Sequence, residues 1–350
     1  MQLPWVVAYH GAMKKNDFQA MYGSKLPLIL LLSILIKISI TSSISYGCIE
    51  YSQNLVDYGA EAVQAYAQCK HGPDGKLLLD DFISPFFEDF NDKIILDAGC
   101  GAGPWSKLAA QKGAIVHGID IQSKMIEKAA KDVEDYGLEK KTFFQLGDVR
   151  ALPYPARFFD RAVSINLICN LPGDSDKCES GKGLEMHFTE LFRVLQNKGR
   201  IIISGPSSMD KILTNGKRPR SEVIREIQLA LKSHHQTSFD EFMALKFVEQ
   251  FTDVLRASFI LENGQLALVE DNLQLKPGQK VLRKIPGLAL FMYYHPETVV
   301  VAELQKAGFV ITKIQRPVVR FEQLDTPVDL GAEYANHNPF FIIEAEKPKA

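Results

Sequence analysis

Short runs rich in β-branched side chains alternate with amphipathic helical segments between residues 93 and 204. Strands and helices that alternate at this spacing form βαβ units, in which a crossover helix joins parallel strands and both faces of the sheet are covered. The pattern therefore predicts an α/β fold. The predicted strands are residues 93–96, 114–119, 142–146, 161–165 and 200–204, and the predicted helices are residues 105–111, 123–136 and 184–195.

The alternation stops at Pro206 and resumes near residue 296. A helix is predicted over residues 297–307, and two more strands over residues 309–314 and 340–345. These elements complete a seven-stranded, mostly parallel sheet with helices on both faces. We expect the sheet to be interrupted after its fifth strand by an insertion.

The insertion, residues 206–295, is predicted to contain helices and hairpins. The helices cover residues 221–232 and 239–256, and the turn sequences Asn-Gly at Asn263 and Pro-Gly at Pro277 are typical of hairpins. The second helix would present one broad apolar face. That face would consist of Phe239, Phe242, Phe247, Phe251, Val254 and Leu255.

Two further helices are predicted near the beginning of the chain, over residues 51–68 and 77–90, with a kink at Pro85. Residues 1–45 form an extension with an uncharged apolar stretch at 26–36. This extension has four alternative interpretations: a cleaved signal, a membrane anchor through residues 26–44, a buried or dispensable helix, and an upstream start before Met13 or Met21.

Composition narrows the range of functions. A formal net charge of −2 supplies no basic field for a polyanion, which argues against a dedicated nucleic-acid binder. The five cysteines are odd in number and never form a C-x-x-C pair, so the sequence indicates neither a disulfide framework nor a zinc site. We expect no bound metal.

Residues 94–106, IILDAGCGAGPWS, place three glycines at alternate positions between a buried strand and a helix start. Glycines let a backbone turn tightly and approach a ligand, and the N–H groups of the following helix face that ligand. A dinucleotide fingerprint would need glycine where Pro104 stands, and no Gly-Lys-Ser/Thr completes a phosphate loop. The loop therefore belongs to neither of these two types.

Asp97, Gly99, Gly101 and Gly103 match the acidic-x-Gly-x-Gly-x-Gly motif, and here the chain resembles the class I S-adenosylmethionine-dependent methyltransferases. The resemblance covers residues 77–207 well and 296–348 in outline. Residues 188–207 resemble the branch that includes quinone-biosynthesis and other small-molecule methyltransferases. The resemblance implies a Rossmann-like methyltransferase fold, S-adenosylmethionine as cofactor, and a catalytic domain formed by residues 46–205 and 296–350.

The same resemblance implies roles for residues at two further strand ends. Asp120 would accept hydrogen bonds from the ribose hydroxyls, and Asp148 with Val149 would contact the adenine. A helix N-cap is the alternative role for Asp148, and a small filler rather than a nucleophile is the interpretation of Cys100. The expected cofactor-binding residues are Asp97, Ala98, Gly99, Cys100, Gly101, Gly103, Asp120, Ile121, Gly147, Asp148, Val149, Asn166 and Leu167.

Methyl transfer from a sulfonium is an in-line displacement that depends on alignment and removal of water, so a dedicated base is optional. If the acceptor is a hydroxyl that loses a proton, His187 and His295 are the candidate bases. A packed core histidine is the alternative for His187. The sequence identifies no other catalytic residue.

We predict a methyltransferase that acts on a small hydrophobic or aromatic acceptor, because the aromatic-rich insertion follows the strand ends where such sheets bind ligands. The insertion would then act as a substrate lid; the alternative is that its aromatic side chains form only its own core. A non-catalytic cofactor-binding protein that uses the insertion to hold a partner is the alternative function. Because the cofactor is kept inside cells, the expected location is the cytoplasm, with the N-terminal anchor as a tether if residues 26–44 form one.

Overall fold

The computed structural model describes residues 79–172, 182–207, 212–214, 216–234, 238–270, 275–285, 288–317 and 340–349. The apolar stretch 26–36 and the predicted helix 51–68 lie outside these residues. Among the described helices, none has both the length and the apolar character needed to cross a membrane.

The described part of the chain contains strands in two sheets and helices that pack on them. The strands are β1 (Ile94–Ala98), β2 (Ile115–Asp120), β3 (Thr142–Leu146), β4 (Phe159–Ile165), β5 (Leu195–Pro206), β6 (Leu213–Thr214), β7 (Val254–Glu262), β8 (Gln265–Leu268), β9 (Lys280–Ile285), β10 (Leu288–Tyr293), β11 (Val310–Gln315) and β12 (Phe340–Glu346). The helices are α1 (Asp80–Ile83), α2 (Pro104–Gln111), α3 (Ser123–Glu134), α4 (Gly183–Val194), α5 (Arg220–Ser233), α6 (Glu241–Glu249) and α7 (Glu297–Lys306), with 3₁₀ helices at Ser84–Phe87 and Ile168–Asn170.

The first sheet has seven strands in the order β11-β12-β5-β4-β1-β2-β3. The five strands from β5 to β3 are parallel to one another, whereas β12 runs antiparallel to both of its neighbours. The order of the strands reverses between β1 and β4, which opens a crevice at their carboxyl ends. The predicted Rossmann-like fold with a seven-stranded, mostly parallel sheet is confirmed.

Aromatic side chains that precede β1 build the core on one face of this sheet. The Phe87 ring stacks on Trp105 of α2 with centroids 6.0 Å apart, and Phe90 meets Phe87 at 4.6 Å. The predicted single helix over residues 77–90 is wrong within its described part. Pro85 ends the hydrogen-bonding pattern of α1, and the 3₁₀ helix Ser84–Phe87 continues the chain.

The second sheet lies between β5 and α7 in the sequence and is antiparallel throughout, in the order β10-β9-β7-β6 with β8 paired to β7. The insertion therefore contains more strand than the sequence predicts. The expected turn at Asn263 does join the β7–β8 hairpin. Pro277 does not form a hairpin, because Phe259 of β7 pairs with β8 on one side and with β9 on the other.

The helix predicted over residues 239–256 is wrong at both ends. The Asp240 carboxylate accepts a hydrogen bond from the Met243 N–H at 2.7 Å and starts α6 at Glu241, and the chain becomes strand β7 at Val254. The apolar face of α6 consists of Ala244, Phe247 and Val248. Phe242 lies on the opposite side of the helix and is 68% exposed, whereas the sequence predicted it to be on the apolar face.

One face of the second sheet packs on α5 and α6, and the other face reaches the 3₁₀ helix that follows β4. Cys169 of that 3₁₀ helix shares a buried cluster with Val281 and Tyr294. Next to this cluster, Nε2 of His295 donates a hydrogen bond to the Leu171 carbonyl at 2.8 Å. The insertion is thus attached to the segment that leaves the end of β4.

A lysine near the end of the described chain completes the carboxyl end of α4. The Lys347 ammonium donates hydrogen bonds to the carbonyls of Phe192 at 2.6 Å and Leu195 at 2.8 Å, and it lies 4.5 Å from the centroid of the Phe192 ring. The last carbonyls of a helix lack partners within the helix, and a cation at this end is favourable.

We expect Lys347→Met to lower the free energy of unfolding by about 1–3 kcal/mol, because it leaves buried carbonyls without donors. Lys349→Met is the matched control, since Lys349 is exposed two residues later and should change stability by less than about 0.5 kcal/mol. Urea denaturation followed by circular dichroism measures both, and equal midpoints for the two variants would contradict the assigned role of Lys347.

Candidate functional site

The three glycines between β1 and α2 form a tight loop that is hydrogen-bonded to the end of β2. The Gly99 and Cys100 N–H groups donate to the Ile119 carbonyl at 2.8 and 3.0 Å, and the Gly103 N–H donates to the Cys100 carbonyl at 3.0 Å. All three glycines have left-handed φ angles, +72° at Gly99, +54° at Gly101 and +78° at Gly103. This conformation favours glycine at each position.

The space around these glycines distinguishes packing from ligand access. A Cβ at Gly99 would lie 2.6 Å from Cδ1 of Leu167, and one at Gly103 would lie 2.9 Å from Cβ of Ala129. At Gly101 a Cβ would meet no atom of the described residues within 4 Å. The outer glycines are required by their neighbours, whereas the central glycine borders open space at the sheet edge, as a loop that receives a ligand requires.

Asp120 at the end of β2 is oriented by two backbone donors. Its Oδ2 accepts from the Gly101 N–H and its Oδ1 accepts from the Gln122 N–H, both at 2.9 Å. A carboxylate has about four lone-pair positions and can accept several donors at once. Asp120 is partly exposed, and its fixed orientation suits recognition of a vicinal diol.

Asp97, Ala98 and Cys100 lie in the interior beneath the loop. Asp97 is 2% exposed, and its Oδ2 accepts a hydrogen bond from the Ser106 hydroxyl at 2.6 Å, which ties β1 to the first turn of α2. Ser106 was not singled out by the sequence. The Cys100 thiol is 4% exposed and donates to the Gly101 carbonyl at 3.7 Å. These positions support the shape of the loop from below.

Asp148, just beyond β3, is engaged by an arginine that sequence reasoning missed. Arg150 donates from Nε to Oδ1 at 3.0 Å and from Nη2 to Oδ2 at 2.7 Å, and its backbone N–H donates to Oδ1 at 2.8 Å. No described helix starts near Arg150, so the helix N-cap alternative is wrong and Asp148 caps a turn instead. The two-residue spacing was the only signal for this pair in the sequence.

The end of β4 closes the other side of the crevice. Asn166 has a left-handed φ of +55°, its N–H donates to the Ser204 carbonyl at 3.1 Å, and its Oδ1 accepts from the Ser204 hydroxyl at 3.3 Å. Leu167 contacts the glycine loop, while the Gly147 N–H donates to the Asp120 carbonyl at 2.9 Å. The predicted residues thus gather at four neighbouring strand ends.

Both candidate bases lie in the interior. Nδ1 of His187 faces the Val149 carbonyl at 3.3 Å and Nε2 faces the Ser164 hydroxyl at 3.1 Å. Since a carbonyl only accepts, Nδ1 carries the proton and Nε2 accepts from Ser164. Burial lowers the pKa of His187 to about 4. His187 thus has the geometry of a packed core histidine, and His295 is 4% exposed and bonded to a backbone carbonyl.

A buried neutral His187 makes stability depend on pH. Its pKa is about 4 in the folded protein against an ordinary value of 6.5, so below pH 6.5 the unfolded chain binds a proton that the folded chain does not. The stabilising contribution is complete above pH 6.5 and is lost as the pH falls toward 4. From pH 7 to pH 5 this group should lower the free energy of unfolding by about 2 kcal/mol.

Urea midpoints of the wild type and of His187→Asn at the two pH values measure this contribution. The variant should show a pH dependence weaker by that amount, and identical pH dependences would contradict the assignment.

Comparison with known proteins matches residues 89–253 to the family model of a methyltransferase domain. The methyltransferase GfsG of Streptomyces halstedii is 35% identical over 111 residues, 31% of this chain and 36% of that protein. The 24-methylenesterol C-methyltransferase 3 of Arabidopsis thaliana is 32% identical over 111 residues, 31% of this chain and 28% of that protein. The matched region spans about a third of the length of these relatives.

A solved S-adenosylmethionine-dependent methyltransferase from Mesorhizobium loti is 16% identical, with a TM-score of 0.47 over 78% of this chain and 99% of that chain. The family match covers β1 to β5 and the glycine loop between β1 and α2. Residues 89–253 therefore match a methyltransferase domain.

Proposed function

We propose that this chain transfers a methyl group from S-adenosylmethionine to a small hydrophobic or aromatic molecule. The observation that carries the proposal is the crevice at the carboxyl ends of β4, β1, β2 and β3. There Gly101 borders open space and the Asp120 carboxylate is held in a fixed orientation. Open α/β sheets bind ligands at this edge, where the strand order reverses.

The residues of the crevice suit this cofactor. The backbone of the glycine loop would pass beneath the methionine part, Asp120 would accept the ribose hydroxyls, and Asp148 with Val149 would contact the adenine. When bound, S-adenosylmethionine supplies an electrophilic methyl group on a sulfonium. The described residues would hold the cofactor in place. Leu167 packs against Gly99 and so connects the end of β4 to the glycine loop.

The acceptor class is inferred from the apolar interior that joins the insertion to the end of β4. The 3₁₀ helix after β4 contacts the second sheet through apolar side chains, among them Cys169, Val281, Tyr294 and the partly buried Met292. Ligand sites for small molecules are lined mostly by such groups. The Arabidopsis thaliana relative is named for methylation of a sterol, which supports an apolar acceptor for this chain as well.

The interior positions of His187 and His295 favour a reaction that relies on alignment and exclusion of water rather than on a side-chain base. Neither imidazole is assigned a proton transfer. Within the residues that the structure describes, no group of three or more His, Cys, Asp or Glu side chains is arranged to hold a metal ion.

Two glycine substitutions separate cofactor binding from backbone strain. Gly101 and Gly137 have left-handed φ angles of +54° and +67°, and in the described part of the chain a Cβ at either meets no atom within 4 Å. Alanine should therefore cost each site a similar stability of about 1 kcal/mol. Only Gly101→Ala places a methyl group in the proposed cofactor path, so we expect it to weaken S-adenosylhomocysteine binding by about tenfold or more.

Isothermal titration calorimetry measures the dissociation constants. Gly137→Ala should stay within about twofold of the wild type. Equal weakening by the two variants, or an absence of S-adenosylhomocysteine binding to the wild type, would remove the proposed cofactor site.

Transfer itself is tested with S-adenosylmethionine carrying an isotopically labelled methyl group, incubated with the protein and a metabolite extract. We expect labelled product in the organic phase, because the proposed acceptor is apolar. Gly101→Arg, which fills the space above the loop, should yield none. Tight S-adenosylhomocysteine binding without any labelled product would favour the non-catalytic alternative, and label confined to the aqueous phase would contradict the acceptor class.

A further inference from the structure

One face of α4 is hydrogen-bonded to residues 149–154, the segment that follows β3. His187, Glu190 and Arg193 stand three residues apart on this helix, and each is hydrogen-bonded to the backbone of residues 149–154. We refer to these three side chains as the anchor row. Residues at this spacing lie on the same side of a helix.

The anchor row makes contacts along the whole segment. Glu190 accepts from the Leu152 N–H at 2.7 Å, while Arg193 donates to the Leu152 carbonyl at 2.9 Å and to the Tyr154 carbonyl at 2.6 Å. Arg193 and Glu190 also form an ion pair at 2.7 Å. The far part of the segment, at Leu152 and Tyr154, is therefore fixed by a partly exposed charged pair.

His187 fixes the near part, next to the residues proposed to contact adenine. Its Nδ1–H donates to the carbonyl of Val149, and the Ser164 hydroxyl of β4 holds the other ring nitrogen. The ring is fully buried, and bonds at both nitrogens determine its orientation. The Val149 carbonyl is thus held by a hydrogen bond from α4, next to the Asp148 carboxylate that Arg150 engages.

We propose that His187 is a positioning residue for the adenine end of the cofactor, which sets the selectivity of the site for a 6-aminopurine. The inference rests on the proposed function. A 6-amino group donates to a carboxylate, whereas the 6-oxo group of hypoxanthine is an acceptor and is repelled by it. The Asp148 carboxylate distinguishes the two bases only if the segment that carries it is held in place.

Two variants of similar polarity separate the two nitrogens of the ring. In His187→Asn, Nδ2 occupies the position of Nδ1 and can still donate to the Val149 carbonyl. In His187→Gln, the amide extends toward Ser164 and the bond to Val149 is lost. The ligands are S-adenosylhomocysteine and S-inosylhomocysteine, which differ only in the 6-amino and 6-oxo groups, and calorimetry gives both dissociation constants.

The wild type should bind S-adenosylhomocysteine at least about tenfold more tightly than S-inosylhomocysteine, since a mismatched polar group costs more than about 1.4 kcal/mol. His187→Asn should keep this ratio within about twofold. His187→Gln should lose about three- to tenfold in S-adenosylhomocysteine affinity, the effect of one hydrogen bond, while S-inosylhomocysteine changes little, so the ratio collapses.

Arg193→Met is the control on the same helix. It removes the donor to the Leu152 and Tyr154 carbonyls and leaves the bond to Val149 intact. The variant should therefore lower the stability of the protein and keep the ratio of the two affinities. A ratio unchanged in His187→Gln, or lost in His187→Asn, overturns the positioning role while leaving the proposed function intact. Loss of the ratio in His187→Asn overturns the positioning role even if His187→Gln does not fold. Failure of the wild type to bind S-adenosylhomocysteine overturns the proposed function instead.

Discussion

The hydrogen bond from the Gly101 N–H to the Asp120 carboxylate joins two neighbouring strand ends, and the rest of the site is arranged around it. The bond forms because the left-handed turn at Gly101 points its N–H toward β2. The same turn leaves open space on the other side of Gly101. One backbone conformation therefore both orients the carboxylate and leaves room for a ligand.

The remaining strand ends are positioned by contacts between elements that are distant in the sequence. Leu167 of the β4 end packs on Gly99, and the Ser204 hydroxyl of β5 donates to the Asn166 side chain. His295, two residues after β10, donates to the Leu171 carbonyl in the segment beyond β4. As a result, the parallel sheet, the loop after β4 and the insertion form one connected wall beside the crevice.

Local patterns were sufficient to predict the strands of the parallel sheet and the glycine loop, because the alternation of segments and the glycine spacing involve residues that are close in the sequence. The boundary between α6 and β7 was missed for a physical reason. Apolar residues continue at helical spacing from Phe239 to Val254, but the Asp240 cap sets where the helix begins, and pairing with β8 and β9 converts Val254–Glu262 into a strand. The strands that pair with β7 cannot be recognised from the sequence of β7 alone.

Among the side chains of the site, too, some features were predictable from the local sequence and others are visible only in the structure. The place of Asp120 at the end of a strand was predictable, whereas the contact of Arg150 depends on how its side chain folds back onto Asp148. His187 attracted attention as a candidate base, and only the structure shows it held between Ser164 and Val149. The apolar stretch 26–36 and its alternative interpretations stay predictions of the sequence.

The contacts of Lys347 imply an order of events during synthesis. Its carbonyl partners Phe192 and Leu195 leave the ribosome some 150 residues before it does, and β5 waits equally for its neighbour β12. Until then, α4 ends in open carbonyls and the central sheet has an uncovered edge that another chain could pair with. Nascent chains therefore depend on β12 to cover β5, and fragments that stop before β12 should be prone to association.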